Sequence, residues 1–229
     1  MGVNMNYKIL LFDLDDTLLD FSANELDSLT KLFELHGISF TDEVFHTYSV
    51  VNRKLWDAYE SSEISLETVL HTRFSETLNK LGQEADGIAW EMDYRKYLSE
   101  GYQMMEGALQ VCEQLSKTHR LFVVTNGVTT TQINRLKLSG LYDYFEDIFT
   151  SQNIGFQKPA KEFFDYVTTH IKNFDREAAL IIGDSLSTDI KGGNLAGIHT
   201  CWMNPKSKTC PEHINCNYTI TKLSELLTL

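Results

Sequence analysis

Apolar and polar positions follow two rhythms along this chain of 229 residues. Residues 7–13, YKILLFD, form an apolar run that closes on an acid, the pattern of a strand buried on both faces. From about Ala23 to Glu100 the period becomes helical. The string SANELDSLTKLFELHG offers Ser22 as a cap with Glu25 three residues on. It sets Leu26, Leu29, Leu32 and Phe33 on one face and stops at Gly37. Further helical stretches cover about 41–60, 65–81 and 89–101. After that, short apolar strands alternate with helices. Strands are predicted at 120–127, 147–151, 178–185 and 199–204. Helices are predicted over TTQINRLKLSGL, which stops at Gly140, and over about 160–172 and 187–196.

Alternation of this kind means βαβ units and a parallel sheet. The expected class is α/β: a Rossmann-like parallel sheet core flanked by helices, with an inserted all-helical cap domain. The expected core is residues 1–18 together with 104–229, and the expected cap is 19–103. Ligands of such sheets bind outside the carboxyl ends of the strands, so those ends are where chemistry is to be sought. The first end supplies Asp13-Leu14-Asp15-Asp16-Thr17, the second Thr125-Asn126-Gly127. The third region supplies Gln157-Lys158-Pro159, and the fourth Gly183-Asp184-Ser185 with Asp189 five residues past Asp184.

These four segments resemble motifs I to IV of the haloacid dehalogenase superfamily, in order and across the whole chain. Motif I, DxDxT/V, is matched by Asp13, Asp15 and Thr17, and motif II, a Ser or Thr at a strand end, by Thr125. Motif III, a Lys often followed by Pro, is matched by Lys158-Pro159, and motif IV by Asp184 and Asp189 in GDSLSTD. The resemblance implies Asp13 as the nucleophile that forms an aspartyl-phosphate, and Asp15 as the general acid and base. It implies Mg²⁺ as cofactor, with metal ligands Asp13, the backbone carbonyl of Asp15, and Asp184. Asp189 would stand behind them, orienting ligands or Lys158. Thr125, the backbone around Asn126, and Lys158 would bind the substrate phosphate. Asp16 has no role in this pattern beyond the turn.

The net charge of −12 argues against a nucleic-acid partner, because phosphate-backbone affinity comes from Lys and Arg. It leaves open a small phosphorylated ligand neutralised locally. No apolar run is long enough to span a bilayer, and Asp13 interrupts the N-terminal run before a signal region forms, so a cytoplasmic protein without a membrane partner is expected. Cys210, His213 and Cys216 have a faint look of metal spacing. A zinc site needs a fourth ligand, so a loop with reduced thiols is the expected reading.

Within the superfamily, Asp15 favours phosphate over halide chemistry, because a carbon–halogen leaving group needs no proton. The strings FDLDDTLLDF, NRKLWDAYE, TRFSETL, VVTNGV, GFQKP, IIGDSLSTDIKGG and TCWMNP resemble the bacterial pyrimidine 5′-nucleotidases. The implied activity is a Mg²⁺-dependent phosphomonoesterase acting on nucleoside monophosphates. N-acylneuraminate-9-phosphatases, phosphoglycolate phosphatases and phosphosugar mutases share the core pattern. A phospho-accepting receiver domain also uses an acidic cluster, a Thr and a Lys, but has about half this length and no cap. A catalytically silent binding protein is the third class, disfavoured because every motif residue is present. In the cap, Arg53, Trp56 and Tyr59, and separately Arg73 and Phe74, could read a substrate. Aromatic residues at that spacing are more often cap core.

Overall fold

The computed structural model describes residues 7–229. In chain order the elements are β1 (Ile9–Phe12), α1 (Phe21–Leu35), α2 (Asp42–Glu60), α3 (Leu66–Lys80) and α4 (Gly87–Glu100). Then follow α5 (Ala108–Leu115), β2 (Arg120–Thr125), α6 (Thr129–Ser139), β3 (Asp147–Thr150), α7 (Ser151–Ile154) and α8 (Lys161–His170). The chain ends with β4 (Ala179–Gly183), α9 (Lys191–Ala196), β5 (His199–Met203) and β6 (Tyr218–Ile220). Two compact units result among the described residues: 7–21 with 102–229, and Ser22–Gly101.

The first unit is built on a six-stranded sheet of order β3-β2-β1-β4-β5-β6. Every neighbouring pair is parallel. Alternate residues of β1 enter opposite layers. Leu10 and Phe12 pack with Val111 and Leu115 of α5 and Leu136 of α6. Ile9 and Leu11 pack with Phe163, Phe164 and Val167 of α8. A strand covered on both faces must be apolar throughout, which is why ILLF shows no polar alternation. Each such side chain contributes roughly 1.5–3 kcal/mol by leaving water.

The second unit is four helices. Thr41, Ser65 and Asp86 cap α2, α3 and α4 by accepting backbone N–H groups of the first turn. Its interior is aromatic: Phe33 meets Trp90 edge-on at 5.1 Å, and Tyr48 stacks on Phe74 at 5.4 Å. Arg73 is buried within this unit. Its Nε donates to Glu91 Oε2 at 2.8 Å, and its guanidinium carbon lies 4.6 Å from the Tyr94 ring centroid. Arg73 and Phe74, weighed above as substrate readers, are therefore interior packing. Tyr59 is buried with Val51, Leu55 and Val69, and Trp56 packs against that cluster. Arg53 is exposed and pairs with Asp57 one turn on.

Several local expectations are corrected. The first helix begins at Phe21, so Ser22 lies inside the first turn and is not the cap. Leu26 is exposed, and the inward face of α1 is Asn24, Ser28, Leu29, Leu32 and Phe33. The predicted strand 147–151 ends at Thr150, because Ser151 already starts α7. The predicted helix 187–196 is a π-helical turn at Leu186–Ile190 followed by α9. Helix α5 and strand β6 have no counterpart in the sequence reading. Among the described residues, no helix is long and apolar enough to cross a membrane.

Candidate active site

The Asp13 N–H still donates to Ile182 O of β4, so the nucleophile candidate is the last residue held by the sheet. The chain then turns tightly. Leu18 and Leu19 donate their N–H groups to Leu14 O, and Asp16 N–H donates to Leu19 O. Leu14, Leu18 and Leu19 are fully buried, which roots the turn in the core below. Asp16 takes a left-handed backbone, φ 56°, a conformation that Asp tolerates better than most L-residues. This conformation accounts for an acid that the motif pattern left without a role. Thr17 is buried and donates its hydroxyl to Asp13 Oδ2 at 3.2 Å.

Lys158 comes from the loop between α7 and α8 and is buried. Its ammonium has three hydrogens and three acceptors: Asp13 Oδ1 at 2.7 Å, Asp189 Oδ1 at 2.6 Å and Val124 O at 2.8 Å. Burial alone would lower the Lys158 pKa, but the Asp13 and Asp189 carboxylates beside it more than reverse that, and the group is held charged. Asn126 positions this lysine. Its Oδ1 accepts from Lys158 N–H at 2.8 Å and its Nδ2 donates to Lys158 O at 3.0 Å. The Asn126 side chain is thus a bridge to the Lys158 backbone.

Asp189 is fully buried on the π-helical turn. Its second oxygen accepts from Ser185 N–H at 3.1 Å. A Cβ on Gly183 would lie 2.2 Å from Asp189 Oδ2, so only glycine lets the carboxylate sit there. Asp184 follows, its carbonyl accepting from Trp202 Nε1 at 2.8 Å. Burial and the nearby Asp189 push the Asp184 carboxyl up to about 7. Burial also raises Asp13; Lys158 opposes this and the other carboxylates add to it.

Two polar residues the sequence reading passed over complete the cluster. Gln132 and Arg135 of α6 are buried. Gln132 Nε2 donates to Asp15 Oδ2 at 2.7 Å and to Thr125 Oγ1 at 3.0 Å. Arg135 Nη1 donates to Asp15 Oδ1 at 2.5 Å and to Gln132 Oε1 at 3.1 Å. Thr125 also accepts from Gly127 N–H at 3.0 Å. The one available signal was that the inward face of α6 reads Thr131, Gln132, Arg135, Leu136 and Ser139, mostly polar where an amphipathic helix should be apolar.

Among the described residues, the set of three metal-capable side chains whose ligand atoms lie within 4.8 Å of one another is Asp13, Asp184 and Asp189. Hard carboxylate oxygens suit Mg²⁺, and a dication would favour the ionised form of an Asp184 carboxyl that burial, with Asp189 beside it, raises to about 7. Within this set Asp13 accepts from Lys158 and Thr17, and the fully buried Asp189 from Lys158 and Ser185. Cys210, His213 and Cys216 form no such cluster among the described residues, and the four cysteines are free thiols.

The family model described as haloacid dehalogenase-like hydrolase matches residues 10–203. The HAD-hydrolase YfnB of Bacillus subtilis is 48% identical over 220 residues, 96% of this chain and 94% of that one. A crystal structure of YfnB described as bound to magnesium superposes with a TM-score of 0.91, covering 96% of each chain. The pyrimidine 5′-nucleotidase PynA of Streptococcus pneumoniae is 38% identical over 97% of this chain and 94% of its own. The pyrimidine 5′-nucleotidase YjjG of Escherichia coli is 32% identical over 97% of each. On the matched segment, the sheet and the motif residues at its strand ends, the chain belongs to the haloacid dehalogenase-like hydrolase family.

Proposed function

We propose that this hydrolase is a Mg²⁺-dependent phosphomonoesterase that acts on small phosphorylated metabolites, with nucleoside monophosphates as its substrate class. The observation that carries the reading is Asp15. A second carboxylate two residues past Asp13 stands at the same strand end, joined through Gln132 Nε2 to Thr125. Chemistry at phosphorus needs such a proton carrier, whereas displacement of a halide from carbon does not. The relatives named as pyrimidine 5′-nucleotidases support the nucleotide part.

In this reading an Asp13 carboxylate oxygen attacks phosphorus and the P–O bond to the leaving group breaks. Asp15 gives its proton to the departing oxygen. Asp15 then takes a proton from water as that water attacks the aspartyl-phosphate, releasing inorganic phosphate and restoring the Asp13 carboxylate. Thr125 and the backbone at Asn126 hold the phosphoryl oxygens, and Lys158, whose three hydrogens go to Asp13, Asp189 and Val124, contributes its positive charge beside them. Asp13, the Asp15 carbonyl and Asp184 would hold Mg²⁺, which supplies charge neutralisation at the phosphoryl group. Asp189 keeps Lys158 in register through its 2.6 Å contact. A net charge of −12 favours a small metabolite over nucleic acid as partner.

The test is a phosphate-release screen across pyrimidine and purine monophosphates, sugar phosphates, N-acylneuraminate 9-phosphate and phosphoglycolate, with Mg²⁺ and with a chelator. Release is expected only with Mg²⁺ and is expected to be greatest on pyrimidine monophosphates. Asp13→Asn is expected to abolish it, and turnover equal to wild type in that variant would overturn the mechanism. A preference for another class would move the substrate and leave the phosphatase reading standing. Formation of an isomerised phosphosugar in place of free phosphate would make the protein a mutase.

A further inference from the structure

Resting on the phosphatase reading, we infer that Gln132, locked by Arg135, is a positioning residue that sets the direction of the hydrogen bonds in the site. It leaves the Thr125 hydroxyl only one job, donation to a phosphoryl oxygen, and it ties Asp15 to the same point.

The argument is a count of donors and acceptors. A guanidinium only donates, so the Gln132 amide oxygen must be the atom facing Arg135 Nη1, at 3.1 Å. This fixes which way the amide points. Its nitrogen then has two hydrogens and two acceptors, Asp15 Oδ2 at 2.7 Å and Thr125 Oγ1 at 3.0 Å. The Thr125 oxygen has two acceptor sites. One takes the Gln132 hydrogen and the other the Gly127 N–H at 3.0 Å. With both filled by fixed donors, the single hydroxyl hydrogen cannot turn inward.

Two further observations show that space has been made for this arrangement. A Cβ on Gly127 would lie 2.2 Å from Gln132 Nε2 and 2.6 Å from Cδ, so the amide occupies the place of a missing side chain. Arg135 is fully buried, a costly position for a cation, and its contacts include Asp15 and Gln132 with the Phe21 ring 5.7 Å away. The buried charge thus orients an amide and a carboxylate.

The test uses the full chain and a monophosphate that the wild type hydrolyses, with variants Gln132→Met, Gln132→Glu, Thr125→Ala and the Thr125→Ala/Gln132→Met double. Gln132→Met is expected to lower kcat/KM by about 10- to 100-fold. In the Thr125→Ala background the same change is expected to cost clearly less than in wild type, because the Gln132–Thr125 bond is already gone and only the bond to Asp15 is left to lose. Gln132→Glu, nearly isosteric and without a donor once ionised, is expected to be worse than Gln132→Met at a pH where it is ionised. Losses that simply multiply, or a Gln132→Glu enzyme close to wild type, would overturn the inference. Gly127→Ala crowds the amide without altering it and is expected to repeat the Gln132→Met pattern, so the question survives if one variant does not fold. Calorimetric affinity for inorganic phosphate in the presence of Mg²⁺ reads the same coupling without turnover. A wild type inactive on every monophosphate would count against the proposed function, while the phosphate-binding cycle would still decide this one.

Discussion

Burial and the neighbouring Asp189 hold the Asp184 carboxyl up to about 7, so near neutral pH it keeps a proton that an ordinary Asp has lost. A metal ligand must be deprotonated, so Mg²⁺ binding to this site should expel that proton. The sign follows: below about pH 7 affinity is reduced, it rises as pH passes through 7, and it levels above. Calorimetry of Mg²⁺ binding at pH 6.5 in two buffers of different ionisation enthalpy is expected to show proton release, and at pH 8.5 almost none. Asp184→Asn should remove both the release and most of the affinity. At this scale the sequence was readable wherever a residue's partner lies close along the chain or at a strand end. Asp13, Thr125, Lys158 and Asp184 could be placed at one sheet edge before any contact was known. Gln132 could not, because its partner Asp15 lies 117 residues earlier and nothing in a mid-helix Gln announces a target. Arg135 was hidden in the same way.

Elements tell a similar story with different causes. The buried strands were legible because two covered faces demand unbroken apolar runs, as in ILLF and ALIIG. Helix α5 was not, being eight residues long, and β6 has only three. Ser22 misled because the S-x-x-E pattern of a capping box here falls inside a helix that starts one residue earlier. The α3–α4 pair carries a prediction of its own. Arg73 and Glu91 join these helices by a buried ion pair at 2.6 Å. Glu91→Ala would strand the Arg73 guanidinium, and a loss of about 3–5 kcal/mol in denaturant unfolding is expected. Arg53→Ala, on an exposed pair in α2, should stay within about 0.5 kcal/mol of wild type.

At the level of the molecule, a charge of −12 repels an anionic substrate before any local cation can act. Screening shortens from about 30 Å at 0.01 M salt to about 8 Å at 0.15 M. With Mg²⁺ saturating, kcat/KM for a monophosphate is therefore expected to rise as KCl goes from 10 to 150 mM, by about twofold. A fall, measured by steady-state kinetics, would mean that Lys158 and the metal dominate the approach. Alternation of strands and helices made the parallel sheet legible, but not the order of its strands, because order is set by crossovers that composition does not record. That order bears on synthesis. The first strand made, β1, ends up between β2 and β4. A ribosome that has reached residue 178 has already joined Asp13, Thr125 and Lys158 to the chain, yet one edge of β1 is still bare and Asp189 does not exist. The nascent chain therefore carries its future nucleophile through most of translation beside an exposed apolar edge. The catalytic centre can close only when the last quarter of the chain arrives.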